Sequence, residues 1–153
     1  MLKVGDKAPL FEAKDQNGNI VRLEDLLKEG KKIVLYFYPK DDTPGCTKQA
    51  CNLRDHYQEL LNAGYLVVGV SVDDEVSHRK FIEKYQLPFP LISDTQQKLV
   101  ETYGVWKEKN MYGKKYWGTV RTTFIIHPDG TIERIIKRPK TEEHAEEILK
   151  GEK

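Results

Sequence analysis

The order of patterns along the chain predicts an α/β architecture with a mixed central β-sheet flanked by helices. Three observations carry the prediction. Residues 32–38 and 65–72 are dense in β-branched and aromatic side chains and read as buried strands. Between them Cys46, Ala50, Leu53, Tyr57, Leu60 and Leu61 recur at spacings of three and four, the period of a helix face. A right-handed crossover of this kind makes the two strands parallel neighbours. Late in the chain, residues 119–127, the turn Pro128-Asp129-Gly130 and residues 131–136 read as an antiparallel pair, which makes the sheet mixed.

Taken in order, residues 10–15 and 19–23 flank Asp15-Gln16-Asn17-Gly18. An Asn-Gly pair between alternating segments predicts a small β-ribbon at the start. Residues 23–28 form a short helix closed by Gly30. The strand at 32–38 leads through a Pro- and Gly-bearing turn into a helix over 44–62, stopped by Gly64. After the strand at 65–72, Asp74 or Ser77 caps a helix whose apolar positions are Val76, Phe81, Ile82 and Tyr85, and Leu87-Pro88-Phe89-Pro90 ends it. Leu91, Ile92 and Ser93 make a short strand, and Asp94 caps a helix over 96–103. Residues 105–118 read as a connection. Thr141 caps a final helix running to about Lys150.

Length and composition narrow the function. At 153 residues the chain predicts one domain with an ordinary core, with neither internal repeat nor linker. With 25 basic and 24 acidic residues the net charge is +1, which argues against nucleic acid as a partner. The apolar run at 33–38 is too short for a bilayer, and the first residues lack the apolar core of a signal peptide, so a cytoplasmic, membrane-free protein is expected. In a reducing cytosol a pair of cysteines is more often catalytic, redox-sensing or metal-binding than a staple.

Both cysteines fall on the helix that leaves the first buried strand, Cys46 in its first turn and Cys51 five residues further on. Unpaired N–H groups and the positive end of the helix dipole favour an anion there, and the thiolate, not the thiol, is the nucleophile. Five residues of helix give about 7.5 Å of rise and roughly 140° of rotation. The two Cα atoms are then about 8.5 Å apart, beyond the roughly 7 Å limit for a disulfide. If the sulfurs are to react with each other, the helix must first come undone locally.

The residues around Cys46 carry a family resemblance. Pro39-x-x-x-Thr43-x-x-Cys46 looks like the active-site signature of peroxiredoxins. The run from Thr43 to Asp55 resembles the peroxiredoxin Q branch, also called bacterioferritin comigratory protein. Gly5-Asp6-x-Ala8-Pro9-x-Phe11, Met111-Tyr112-Gly113, Gly118-x-x-Arg121-x-Thr123-Phe124-x-Ile126 and Asp129-Gly130 match further landmarks, so nearly the whole chain is covered. His127 departs from the Asp common there, which bears on the turn and not on the chemistry.

The resemblance implies a thioredoxin-like fold with an N-terminal β-hairpin extension. It implies a thiol peroxidase acting on hydrogen peroxide and alkyl hydroperoxides, with no metal, haem or flavin. Cys46 is then the nucleophile and Cys51 the resolving cysteine, closing an intramolecular disulfide that thioredoxin or a similar dithiol donor reduces. Thr43 holds the peroxide oxygens, Arg121 pairs with the thiolate and the leaving oxygen, and Pro39 shields the site from water. Gln49 is a candidate partner of Arg121. A monomer is expected, as is often the case in this branch.

Plainer roles stand beside each of these: a helix cap for Thr43, strand termination for Pro39, an edge-strand surface position for Arg121, and core cysteines for Cys46 and Cys51. Three other functions compete. A metal site from Cys46, Cys51 and His56 fits poorly, because each step of five turns about 140° away. A thioredoxin-like dithiol carrier uses Cys-x-x-Cys rather than this wider spacing. An oxidation-driven chaperone or sensor would expose the aromatic residues Trp106, Tyr112, Tyr116 and Trp117.

Overall fold

The computed structural model describes residues 2–151. The chain opens with a two-stranded antiparallel ribbon, β1 (Glu12–Lys14) and β2 (Ile20–Arg22), as the Asn-Gly signal predicts. Asp15 shapes its turn by accepting the N–H groups of Asn17 and Asn19 on Oδ1, and Gly18 takes a φ of 78° that suits glycine. Helix α1 (Leu23–Leu27) follows.

The central sheet is built from β3 (Lys32–Phe37), β4 (Tyr65–Ser71), β5 (Leu91–Ser93), β8 (Thr122–Ile126) and β9 (Ile132–Lys137), in the order β5-β4-β3-β8-β9. β3, β4 and β5 are parallel, and β8 and β9 join antiparallel to the β3 edge. This is the mixed sheet expected from sequence, in the thioredoxin-like arrangement. The period of two in β3 divides the core. Val34, Tyr36 and Tyr38 face α2 (Pro44–Asp55), α3 (Tyr57–Asn62), α4 (Glu75–Tyr85) and α6 (His144–Lys150). Ile33, Leu35 and Phe37 face the other layer, with Leu23 of α1 and with Leu99 and Val100 of α5 (Lys98–Thr102). Among the described residues no helix is long and apolar enough to cross a membrane.

Helix α2 contains Gly45, Thr47 and Asn52, all weak helix formers. Packing holds it instead: Cys46, Ala50 and Leu53 are buried on the sheet, and full burial of a leucine alone stabilises by about 2 kcal/mol.

The structure departs from the sequence reading at several places. The single helix over 44–62 is two helices, broken at His56 (φ −109°, ψ 14°). The His56 ring places Nδ1 3.0 Å from the Asn52 carbonyl, the same oxygen that its own backbone N–H reaches at 3.2 Å. Such side-chain competition for a backbone carbonyl disturbs the helix ladder, while the apolar period runs on across the break. The supposed connection at 105–118 is largely a second ribbon, β6 (Trp106–Met111) paired with β7 (Lys114–Thr119). Its two-residue turn has positive φ at Tyr112 (53°) and Gly113 (80°), as a hairpin turn of this length requires. Thr119 therefore ends β7, and the strand read over 119–127 begins only at Thr122.

Asp74 caps α4 through the Ser77 N–H at 2.8 Å, one of the two expected alternatives. Asp94 accepts the N–H groups of Leu99 and Val100, although α5 starts only at Lys98. Thr141 does not cap α6. The Ala145 N–H is instead taken by Asn52 Oδ1, from α2, at 2.7 Å.

Candidate active site

The turn at residues 39–43 leaves the carboxyl end of β3, where open α/β sheets characteristically place their sites. Thr43 has extended backbone (φ −98°, ψ 156°) and occupies the N-cap position, with Pro44 opening the helix. Its carbonyl accepts the Thr47 N–H at 2.8 Å. Its side chain does not cap: Oγ1 donates back to the Lys40 carbonyl at 2.8 Å. The sequence reading left Thr43 between a cap and a site role, and the hydroxyl is not spent on the cap. The first N–H groups of α2, at Gly45 and Cys46, have no carbonyl four residues back within the helix.

Cys46 lies in the first turn of α2 and is 2% exposed. Arg121, in the short link between β7 and β8, points Nη2 at Cys46 Sγ at 3.3 Å. Its Nη1 donates to Gln49 Oε1 at 2.6 Å. A guanidinium stays charged at any working pH, so its attraction for a sulfur anion does not titrate away. Gly45 leaves room for the approach: a Cβ there would stand 3.1 Å from Arg121 Nη2, a tight contact. The surface alternative for Arg121 is thereby excluded, and Gln49, fully buried one turn after Cys46, is its partner.

Cys51 lies in the same helix and is free, as is Cys46. Burial pushes its thiol above the ordinary range, with Arg54 pulling down and Asp55 pushing up. Helix α2 is continuous through both cysteines, so the separation argued from spacing holds in this state. The residue after Cys51 ties the helix down. Asn52 Nδ2 donates to the Glu142 carbonyl at 3.0 Å and to Glu146 Oε1 at 3.2 Å, while its Oδ1 caps α6. Pro39 is part-buried two residues past the end of β3.

Two contributors escaped the sequence reading. Lys109 of β6 is close enough to the site to feel both Arg121 and Cys46. Burial and Arg121 lower its pKa, and Cys46 raises it. No periodic signal marked it, because β6 was read as a connection. The second is the pair Asp41 and His78, which buries a carboxylate against an imidazole at 2.7 Å.

The proposed metal trio does not assemble. His56 turns to Asn52 and to Glu146 Oε1 at 3.2 Å. Among the described residues the cluster of potential metal ligands is Asp41, Asp73 and His78, within 4.8 Å of one another. Their ligand atoms are engaged by hydrogen bonds with one another and with neighbours. The aromatic residues Tyr112, Tyr116 and Trp117 are already exposed, at 99%, 42% and 59%, on the β6–β7 ribbon with both thiols free. Exposure on oxidation, the premise of the chaperone alternative, is therefore not needed to uncover these three, while Trp106, the fourth residue of that alternative, is part-buried against the core.

Residues 4–135 match the AhpC/TSA family. The chain is 47% identical over 148 residues to the putative peroxiredoxin bcp of Coxiella burnetii, covering 97% of each. It superposes on a cysteine-mutant PrxQ of Xylella fastidiosa with a TM-score of 0.91 at 32% identity, covering 99% of this chain and 95% of that one. A Xanthomonas campestris bacterioferritin comigratory protein, described for its alkyl peroxide reduction activity, superposes with a TM-score of 0.86 at 34% identity, over 95% and 96% of the two chains. With the cysteine-bearing helix start and its arginine in place, the chain belongs to the AhpC/TSA family, among the peroxiredoxins of the Bcp and Q type.

Proposed function

We propose that this thiol peroxidase reduces hydrogen peroxide and alkyl hydroperoxides at Cys46, with Cys51 resolving within the same chain. The observation that carries the reading is the 3.3 Å contact between Arg121 Nη2 and Cys46 Sγ at the start of α2. The thiolate attacks one peroxide oxygen and the O–O bond breaks. Sulfur keeps the first oxygen as a sulfenic acid, and the second leaves with a proton as water or alcohol. Thr43 Oγ1 and the N–H groups at the helix start hold the peroxide in line. A hydroxyl suits this role: with its own hydrogen on the Lys40 carbonyl, Oγ1 accepts from the peroxide O–H while the helix N–H groups donate to the other oxygen. Arg121 steadies the thiolate and then the charge growing on the departing oxygen. Pro39 limits water at the mouth.

In the second step α2 unwinds locally and the Cys51 thiolate attacks the sulfenic sulfur. The disulfide forms and the oxygen leaves as water once protonated. A dithiol donor of the thioredoxin type then supplies two electrons and two protons, returning both cysteines to thiols. A monomer working in the cytoplasm, without metal, haem or flavin, completes the reading. The dithiol-carrier alternative lacks the short cysteine spacing and gives no role to Arg121. A coupled assay tests the proposal: peroxide consumption with thioredoxin as the dithiol should require Cys46 and Cys51. Equal turnover in Cys46→Ser would overturn it.

A further inference from the structure

The turn that carries Thr43 is anchored against α4, and the anchor is a buried side-chain pair, Asp41 and His78. Asp41 Oδ2 lies 2.7 Å from His78 Nδ1 and accepts the Ser77 hydroxyl at 2.8 Å. Its Oδ1 accepts the Tyr38 hydroxyl at 2.5 Å. The Asp41 backbone N–H donates to Asp73 Oδ2 at 2.8 Å, and Asp73 is in turn held by the Ser71 hydroxyl at 2.6 Å. On the far side His78 Nε2 lies 2.9 Å from the Ile92 carbonyl in β5. A carbonyl only accepts, so Nε2 carries a hydrogen, and the other ring nitrogen faces the carboxylate. The His78 side chain is fully buried and that of Asp41 is 3% exposed.

The next residue adds an outer tie. Asp42 has a φ of 55° in the left-handed region, uncommon for a residue with a side chain. Lys84 Nζ and the Tyr85 hydroxyl, both of α4, hold its two carboxylate oxygens at 2.8 Å each. The strand ladder of β3 fixes one end of the turn and the packing of α2 fixes the other. Thr43 occupies the N-cap position of α2, and the stretch that leads to it, Asp41 and Asp42, is held by α4 and by Asp73.

We infer that Asp41 and His78 are the positioning pair of the peroxide-binding turn, holding Thr43 in register with Cys46. The inference rests on the peroxidase reading above. Neither residue touches the sulfur. Arg121 reaches Cys46 from the link before β8 and is braced by Gln49 of α2, neither of them in α4. Loosening the pair therefore displaces the peroxide-orienting groups and leaves the thiolate's own environment in place. A displacement of about 1 Å in an orienting group is enough to slow a reaction about 100-fold.

The test separates orientation from nucleophilicity, in a Cys51→Ser background so that Cys46 is the one reactive thiol. Two rates are measured for each variant: sulfenic acid formation with hydrogen peroxide, and alkylation by iodoacetamide, which needs no peroxide-orienting turn. Asp41→Ala should slow the peroxide reaction about 10- to 100-fold and leave alkylation within about twofold. Asp41→Asn should recover the peroxide rate to within about threefold, because the carboxamide still accepts from Tyr38 and donates to Nδ1. His78→Leu should resemble Asp41→Ala, and the double variant should be no slower than either single one, as partners in one contact behave. If Asp41→Ala fails to fold by circular dichroism, His78→Leu carries the same comparison. Equal losses in both reactions, or an undiminished peroxide rate, overturn the inference. Failure of the Cys51→Ser parent to react with peroxide at all would overturn the peroxidase reading instead.

Discussion

Replacing Asn52 by Ala should make the second step of the cycle faster. Three hydrogen bonds join Asn52 to the start of α6, two from Nδ2 and one to Oδ1. Unwinding α2 far enough to bring Cys51 to Cys46 pulls the neighbouring Asn52 away from α6, so these bonds oppose it. Each is worth about 0.5–1.5 kcal/mol net, and the part-exposed setting places the sum near 2 kcal/mol. Alanine is the better helix former by about 0.6 kcal/mol, which works the other way. The difference of about 1.4 kcal/mol amounts to a roughly tenfold larger unwound population. Quenched-flow mass spectrometry after a peroxide pulse reads both consequences. Disulfide should appear several-fold faster, and less Cys46 should be carried on to sulfinic acid at high peroxide, because the sulfenic acid waits less time. A lower melting temperature with an unchanged disulfide rate would refute the reasoning. It would mean that the tie to α6 stays closed while the cysteines meet.

Three further outcomes follow from the same geometry. Gly45→Ala places a Cβ 3.1 Å from Arg121 Nη2; the guanidinium should shift and peroxide reactivity fall about tenfold, while stability is unchanged or higher, as kinetics and melting curves will show. Burial keeps the Cys51 thiol protonated above the usual thiol range, so stopped-flow disulfide formation should keep accelerating with pH beyond about 8.5. Burial also lowers the pKa of His144, with Glu147 opposing and Arg121 and Arg134 adding to the shift. The unfolded chain therefore takes up that proton first. Its contribution to stability should be complete above about pH 6.5 and decline as pH falls below it, read by denaturant titration. An unchanged midpoint for the wild type between pH 7 and 5, or a Thr123→Val/His144→Leu variant with the same pH slope, would count against this.

Features with a local chemical cause were legible in the sequence. The strand at β3, the turn with two prolines and a glycine, and the helix start at Cys46 each follow from neighbouring residues, and together they place the thiol. Arg121 was legible only through the family motif, since nothing in its own neighbourhood points to a residue 75 positions earlier. Asp41 and His78, 37 positions apart, were invisible for the same reason. A buried polar pair leaves no periodic trace when its partners come from separate elements. The β6–β7 ribbon was missed because its strands are largely exposed on both faces and lack the alternation that burial imposes. The break at His56 was missed because the apolar stripe continues across it.

The most direct measurement is a count of free thiols and an intact mass after one equivalent of hydrogen peroxide, in wild type, Cys46→Ser and Cys51→Ser. The account predicts that wild type loses both thiols within one chain, that Cys46→Ser loses neither, and that Cys51→Ser gains a single oxygen at Cys46. A wild-type protein that keeps both thiols, or a Cys46→Ser variant that is oxidised as readily as wild type, would contradict it.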